Sequence, residues 1–563
     1  LGANTTASNN TAVGGLALTA NTTGTENVAL GNNALDSNTT ANNNTAVGMA
    51  ALQANTTGAN NVGLGSGALY NNTTASNNTG VGFNSLVSNT TGADNVAIGK
   101  DSLDSNTTGA GNVGIGSDAL QGNVSGSSNV AVGNDALKSN TVSGQIGIGN
   151  QSLEANTSGT ENTAVGFQTL MTQSSNGYMN TAVGYQAGRL NTSGQSLTAI
   201  GFKALEANTT GDGNTAVGQQ ALVVNTTGAN NVGVGQSALL ANTTGTSNTA
   251  VGYQALDANT TGADNTALGA YALTRATTAS YNTAVGNVAL QSVTTGNDNV
   301  AVGYLALEAN TTGPINTAVG KSALAANTTG SGNVAVGIRA LDANTTGGGN
   351  VALGHDALGV NIDGDSNVAA GYNSMDAHTT GSNNAAWGAH SLGASTTGAN
   401  NSGIGWAAGS NITTGANNTC LGYYSVASAV NVSNEITLGN SSISALRCND
   451  QSIAALSDAR DKTDVVDLPH GLDFINQTRP VRFKWDKREY LSDDTKQGTT
   501  NYGFIAQELL AIGDNEEHRL VYESNPEKLE ARYSNLIPIL TKAIQELSTK
   551  NDALVARITA LEA

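Results

Sequence analysis

Asn44-Thr45-Ala46-Val47-Gly48-Met49-Ala50-Ala51-Leu52-Gln53-Ala54-Asn55-Thr56-Thr57-Gly58-Ala59-Asn60 is one round of a pattern that restarts at Asn61, so the period is 17. Its glycine recurs at Gly14, Gly31, Gly65, Gly82, Gly99, Gly116 and Gly133. After small shifts at Gly149, one residue early, and Gly184, which restores the phase, the period runs through Gly201 to Gly422 and Gly439, which stands 25 whole periods from Gly14. Asn stands four residues before the glycine (Asn10, Asn27, Asn44, Asn418) and Leu four after it (Leu18, Leu35, Leu52, Leu392). Leu1 holds the leucine phase, so the chain is expected to begin inside a repeat, with an attachment end missing upstream. Strict phase over hundreds of residues predicts stacked coils, a solenoid, and not a flexible polar linker.

Within each unit, Asn-(Thr/Val)-Ala-(Val/Ile/Leu)-Gly predicts a short strand that alternates larger aliphatic groups with Ala or Gly, so one face can fill a coil interior and the other can approach a neighbouring backbone. The Ala-Leu pair that follows supplies a second apolar anchor. Asn-Thr-Thr-Gly, as at Asn21 to Gly24 and Asn55 to Gly58, has turn chemistry with Gly available for positive φ. Stacking would set Asn on Asn and Thr on Thr as side-chain ladders. At one strand spacing of roughly 4.8 Å per repeat, about 26 coils would make a rod on the order of 120 Å long. The Asn-x-Ala-(Val/Ile)-Gly core resembles the head repeats of trimeric autotransporter adhesins, which implies β-rolls assembled in threes. The unit here is longer than in those heads.

Composition narrows the function. The chain of 563 residues has 22 Lys and Arg against 41 Asp and Glu, a net charge of -19, with 4% aromatic residues and 70 Gly. That balance argues against nucleic acid and anionic membranes as partners, because both are bound through Lys and Arg. No apolar run approaches the ~18 residues of a membrane span, and no signal peptide opens the chain. Cys420 and Cys448 read as ordinary thiols, a bond within or between chains being the open alternative. No metal-ligand cluster or phosphate loop stands out from the Gly-rich repeat, so no cofactor and no metal are expected. The few carboxylates, such as Asp36, Asp104 and Glu206, scatter with repeat phase and form no acid/base pair of the kind a glycan-degrading enzyme uses.

The residue after the glycine accepts Asn32, Lys100, Gln219, Lys321 and His355, and is therefore expected to face solvent. It also holds Phe83, Phe167, Tyr185, Phe202, Tyr253, Tyr304, Tyr372, Trp406 and Tyr423. Exposed rings on a polar scaffold suit stacking on sugars, with Tyr253, Tyr304, Tyr372 and Trp406 as candidate glycan contacts; packing against a neighbouring chain in an oligomer is the competing reading. Asn-Thr-Thr triplets such as those at Asn4 and Asn310 match the glycosylation sequon, yet a structural Thr ladder explains them without glycans.

Near Leu456 the composition changes. Residues 1–446 hold seven Lys and Arg against 21 Asp and Glu, whereas residues 447–563 hold 15 against 20. Val481-Arg482-Phe483-Lys484-Trp485 alternates as a strand, and Tyr502-Gly503-Phe504-Ile505-Ala506-Gln507-Glu508-Leu509-Leu510 reads as a strand turning into a helix. From Tyr533 the spacing of Ile537, Leu540, Ile544, Leu547, Asn551, Leu554, Ile558 and Leu561 alternates four and three, a heptad seam with Asn551 at an a position. Such a polar residue fixes register, and Ile at a with Leu at d favours two strands. A core helix is the plainer alternative.

Three ordered motifs, Ser457-Asp458-x-Arg460-x-Lys462, Gly503-Phe504-Ile505-Ala506-Gln507-Glu508 and Tyr533-x-x-Leu536, resemble the intramolecular chaperone auto-processing domain of phage tailspikes, tail fibres and endosialidases, from Ser457 to the last residue of the chain. The resemblance implies that the module assembles three chains, promotes folding of the preceding β-structure and cuts itself off. Ser457 would be the nucleophile on the Leu456 carbonyl and Lys462 its general base. Asp458, Arg460, Gly503, Gln507, Glu508 and Tyr533 would be structural. A basic lysine must lose a proton held at a pKa near 10.4. Asp461 stands where the family has an apolar residue, and its carboxylate favours the charged lysine. Taken alone, Ser457-Asp458 would read as a helix cap with a surface lysine.

The expected fold is mainly β: a trimeric β-solenoid or β-roll shaft over 1–440, a linker over 441–456, a small α+β chaperone domain over 457–532 and a coiled-coil helix over 533–563. The expected function is a homotrimeric phage tail fibre, extracellular or on the virion, that attaches to a cell-surface glycan or protein receptor. Its anchor would lie in the missing N-terminal region, it would not insert into a membrane, and any peptidase activity would act in cis only. The alternatives are a bacterial surface or predation-associated fibre adhesin and, more remotely, an ice-binding solenoid, which would need two Thr per coil on one face.

Overall fold

The computed structural model describes residues 2–174, 176–443, 446–447, 462–484, 498, 500–512, 519–523 and 529–563. It divides into two compact units, Leu1–Gly349 and Asn350–Ala563. The first holds twenty three-residue strands, β1 (Thr11–Val13) to β20 (Val334–Val336), and the second opens with six more, β21 (Val351–Leu353) to β26 (Ile436–Leu438). Within each unit consecutive strands pair parallel and in register. In β3 (Thr45–Val47) and β4 (Val62–Leu64), for example, Ala46 lies opposite Gly63. The chain is a parallel β-solenoid of 17-residue coils.

Backbone bonding continues outside the strands. Leu52 N–H donates to Ala68 O (2.9 Å), Thr56 N–H to Thr73 O (2.8 Å) and Asn60 N–H to Asn42 O (3.1 Å), so one coil bonds both to the coil after it and to the coil before. A coil this small needs sharp corners. Three residues per turn, most of them not glycine, adopt left-handed φ, as at Ala50 (60°), Leu52 (52°) and Asn60 (60°). That conformation costs roughly 1–2 kcal/mol for a residue with a Cβ, and bonding around the whole coil holds it in place.

The repeat glycine has a different task. Gly48 sits at φ +133°, and a Cβ there would lie 2.5 Å from Gly65 O. Glycine stacks on glycine because no side chain fits between coils. The glycine of Asn-Thr-Thr-Gly departs from expectation: Gly58 is not at positive φ, and its place is set by close approach to Ala75 O and to Asn55 Oδ1, 2.6 Å from an added Cβ. Ala41 and Ala75 fill the same position in other coils, so this second approach tolerates a methyl.

The strand faces also divide otherwise than size suggests. From β2 to β25 the middle residue, Ala or Gly in all but Cys420, points inward and is buried, while the flanking residues, mostly Thr, Val, Ile and Leu, face outward, half-buried or exposed. The interior is already filled by Ala51 and Leu52 and their equivalents and by two asparagines per coil, all buried. Only a minimal strand residue fits opposite them.

Both asparagines form ladders. Asn44 N–H donates to Asn27 Oδ1 (3.0 Å) while Asn44 Nδ2 donates to Gly58 O (2.9 Å). Asn55 Nδ2 donates to Asn38 Oδ1 (3.0 Å) and closes its own turn on Gly58 O (2.9 Å). Bonded this way, a buried amide avoids the desolvation penalty of about 1–3 kcal/mol carried by an unsatisfied polar group. The threonines differ from expectation, since Thr22 Oγ1 donates to the backbone carbonyl of Thr39 (3.0 Å) and not to a threonine hydroxyl. In each Thr-Thr pair of the solenoid after Thr5-Thr6 only the second threonine, such as Thr57, is fully exposed. Thr57 and its equivalents thus make a single rank on their own corner, not the double rank on one face that ice binding requires.

Irregular coils are absorbed by longer side chains. Val130 pairs with Ile146, one residue short of the period, and Gln145 takes the ladder place of Asn, with its N–H on Asn129 Oδ1 (2.9 Å). Thr163 pairs with Thr181, one residue beyond the period, and Gln173 Nε2 spans four residues to Gly177 O (2.8 Å) where Asn spans three. At the last coil Glu435 replaces the ladder Asn, and its carboxylate accepts from Ser428 N–H and Oγ–H. Cys420 occupies the inward strand position, buried and unbonded to another cysteine, with its thiol pushed up to about 11 by burial. Cys448 lies outside the described residues.

Gly286→Ala should lower the urea midpoint of the shaft by the equivalent of about 2–4 kcal/mol, since it adds left-handed strain to overpacking. Asn287→Ala, one residue on and exposed, should cost under ~1 kcal/mol. Circular dichroism during urea titration checks both.

His378 replaces a ladder asparagine and supplies a pH prediction. Its Nε2–H faces Gly381 O (2.8 Å) and Nδ1 faces Ser395 Oγ (3.3 Å). Burial pushes its pKa below the ordinary histidine value. The unfolded chain therefore binds the proton more readily, so this contribution is complete above about pH 6.5 and is lost as pH falls through the unfolded and then the folded pKa. Thermal melts at pH 7.5 and 5 should show a smaller acid-induced drop for His378→Asn than for the parent.

Candidate functional site

The C-terminal module is built around one long helix. Its elements are α1 (Leu472–Ile475), β27 (Val481–Lys484), β28 (Thr500–Gly503), α2 (Ala506–Ile512), β29 (Val521–Tyr522), β30 (Glu530–Ala531), a 3₁₀ turn (Tyr533–Asn535) and α3 (Leu536–Glu562). Both the strand at 481 and the strand-to-helix change at 502–510 follow the sequence pattern; Trp485 lies outside the described residues. β27 and β28 pair antiparallel with Val481 opposite Gly503, and β29 pairs antiparallel with β30. Phe474, Leu520, Leu536 and Ile539 form the small core, against which Leu468, Ile475, Phe504 and Ile512 pack.

Two of the motifs meet at one point. Tyr533 Oη reaches the chain at Gly503, where a Cβ would lie 2.5 Å from it, and accepts a long bond from Phe504 N–H (3.4 Å). Gly503 is thus the seat of the tyrosine hydroxyl. Glu508 on α2 pairs with Arg479, whose Nε donates to Oε2 (3.0 Å); the guanidinium holds the carboxyl below its usual range. Gln507, beside it, is exposed. Arg482, Tyr502, Gly503, Phe504 and Tyr533, with Pro480 and Val481, line an open groove of about 590 Å³.

Two contacts escaped sequence reasoning. Arg479 lies in the loop between α1 and β27, 29 residues from Glu508 on α2, so no local signal links the two. Glu546 on α3 accepts from Leu472 N–H (2.8 Å) and so caps α1 from near the other end of the module, for which no local signal exists.

α3 carries two apolar faces. Leu536, Ile539 and Ala543 are buried in the module, whereas Ile537, Leu540, Ile544, Leu547, Leu554, Ile558 and Leu561 are exposed, from 42% at Leu540 to 80% at Leu561. The heptad seam is therefore not the core-facing stripe, and Asn551 lies along the exposed line. Of the proposed cleavage site, Lys462 is described and exposed. Leu456, Ser457, Asp458, Arg460 and Asp461 lie outside the described residues.

Along the solenoid, the corner after the glycine carries exposed rings that pack on one another. Phe167, Tyr185 and Phe202 stack at 5.2 and 5.3 Å. His355 stacks on Tyr372 (5.5 Å), Tyr372 meets His390 edge-on (5.5 Å), and Trp406 stacks on Tyr423 (5.0 Å). Of the four candidate glycan contacts, Tyr372 and Trp406 thus have ring faces covered by neighbours and Tyr253 meets Tyr271 edge-on (5.3 Å). Tyr304 shows no ring contact among the described residues. Glu206 pairs with Arg189 (3.1 Å) and Lys203 (3.2 Å), an ion-pair ladder and not an acid/base site. Among the described residues no group of three His, Cys, Asp or Glu is placed to hold a metal, and no helix is long and apolar enough to cross a membrane.

Residues 457–518 match the family model described as chaperone of endosialidase. The C-terminal module carries the first two motifs within that match, and Tyr533 with its helix lies beyond it. No curated protein and no solved structure matches the chain.

Gly503→Ala should destabilise the module by about 2–4 kcal/mol through collision with Tyr533, and pairing it with Tyr533→Phe should recover part of that loss. Hydrogen exchange of the α2 and β28 amides checks the order of the three proteins.

Proposed function

We propose that this chain is a homotrimeric fibre of the phage tail-fibre type, extracellular or carried on a virion. Residues 1–440 form its shaft, 441–456 a linker, 457–532 an intramolecular chaperone and 533–563 the coiled coil that joins three chains. The observation that carries this reading is the second apolar face of α3: one side of the helix is used by the module, and the other is an exposed heptad seam with a register-fixing Asn551. The number three comes from the family resemblance. An anchor to a tail or another surface would hold the fibre in place, and its binding partner would be a cell-surface glycan or protein. For a glycan, the rings of Tyr253, Tyr304, Tyr372 and Trp406 supply edges and, at Tyr304, an open face. The same modules would serve a bacterial surface or predation-associated fibre; neighbouring tail genes or secretion genes separate the two.

Cleavage is the module's proposed chemistry. Ser457 Oγ attacks the Leu456 carbonyl carbon while Lys462 Nζ takes the hydroxyl proton; the Leu456–Ser457 C–N bond breaks, that proton passing to the Ser457 nitrogen as it becomes the free amino group, and water hydrolyses the resulting ester to release the shaft with a Leu456 carboxylate and restore the serine hydroxyl. Asp458 and Arg460 keep structural roles with Gly503, Gln507, Glu508 and Tyr533.

Light scattering on the purified protein should give the mass of three chains, and a monodisperse single chain would overturn the assembly. On denaturing gels the parent should separate into a shaft and a module beginning at Ser457, while Ser457→Ala, Lys462→Ala and Lys462→Arg should stay full length, since a guanidinium does not act as a base. Asp461→Leu should speed cutting. A parent and an Asp461→Leu variant that both stay intact after folding would mean that the module is a retained chaperone.

A further inference from the structure

We infer that the outward strand face of the solenoid, formed by the first and third residues of each strand, is the surface along which copies of this chain pack in the fibre. This deepens the trimer reading and rests on it. In all 26 strands neither position ever holds Asp, Glu, Lys, Arg or His, and the third position is apolar in every one, from Val13 and Leu30 to Leu421 and Leu438. All the acidic and basic residues of positions 1–446 therefore fall on the other sides of the coil. The corner after the glycine carries Lys100 and Lys321, and the place before the ladder asparagine carries Glu26, Asp94, Glu161 and Asp264.

The stripe is not interior material of its own chain, because the buried residue is the Ala or Gly between its two members. Leu64, Ile98 and Leu268 stay 45%, 39% and 48% exposed. Twenty such rows in Leu1–Gly349 leave on the order of 1,000 Å² of mostly apolar side chain on one narrow face, above the ~800 Å² per partner of a stable interface. A monomeric surface rarely holds an apolar patch larger than about 300–600 Å².

Geometry chooses the occupant. The stripe repeats once per strand spacing and is two side chains wide, so its complement needs an apolar group at the same ~4.8 Å interval over twenty rows. A second copy of this chain has that interval, and α3 presents its exposed seam to an equal partner in the same way. With both surfaces satisfied by copies, the aromatic and charged corners are left outside for the receptor.

Single cysteines test the assignment in the full chain with Cys420→Ala and Cys448→Ser. At trimer mass, a maleimide should label Val217→Cys about tenfold or more slowly than Gln219→Cys, because the core of an interface excludes solvent; in urea the rates should converge. Equal rates in a protein of trimer mass would overturn the inference and leave the trimer standing, whereas a single-chain mass would overturn the trimer and this inference with it. As a second measure, Val217→Glu with Val234→Glu and Val251→Glu should dissociate or shift the assembly in light scattering, and Gln219→Glu with Gln236→Glu should not. If the face variant fails to fold, the cysteine pair decides; if it folds with unchanged mass and shape, the inference is wrong.

Discussion

Everything in the solenoid follows from laying each coil on the next at the spacing of hydrogen-bonded strands. At that distance the backbones meet, so a side chain standing between them has no space, and Gly48 must face Gly65. The same closeness makes every buried polar group depend on its equivalent one coil away. An asparagine is well suited to that place because its amide can donate and accept at once, as Asn44 does toward Gly58 O and from its neighbours in the ladder. Charge is unsuitable, since like charges would repeat at every coil. The low charge of the shaft is thus a consequence of stacking.

Much of this was legible because a repeat makes one physical requirement visible many times. The glycine, the two asparagines and the leucine each showed their role by recurring. Orientation was less legible. Alternation of Ala46 with Thr45 and Val47 shows that two faces exist, but which one points inward depends on the volume already taken by Leu52 and Asn55 from the other sides of the coil. Size alone pointed the wrong way. The Asn-Thr-Thr-Gly turn misled for a related reason: its glycine answers to the next coil's carbonyl, a contact one whole repeat away, and the positive φ falls at Asn60 and its equivalents.

In the module the balance reverses. Secondary structure and the heptad were readable because their periods are local, and Gly503 and Tyr533 drew notice through a family pattern. Their shared reason, a phenol seated on a residue with no Cβ, needs the structure. Arg479 and Glu546 were invisible because each acts across a chain distance that only the fold closes. The aromatic corner lies between these cases: exposure was foreseen from the mixture of Lys, Asn and Tyr at one phase, but ring-on-ring packing depends on which coils happen to carry rings in succession.

A stack of near-equivalent coils has an inherent problem of register. Two such chains packed side by side and displaced by one whole coil would lose contact at the ends only, so the correct alignment is favoured by little more than one coil's share of the interface. The irregular coils at Gln145 and Gln173 reduce this degeneracy, because a turn one residue short or one residue long matches only its own counterpart. A clamp at one end reduces it further. The exposed seam of α3 does not follow the period of the shaft, and Asn551 penalises any helix pairing that sets it against Ile or Leu. A chaperone-type module beside such a seam is therefore what the physics of a repetitive shaft calls for: the shaft supplies length through sameness, and alignment must come from a part of the chain that is not the same.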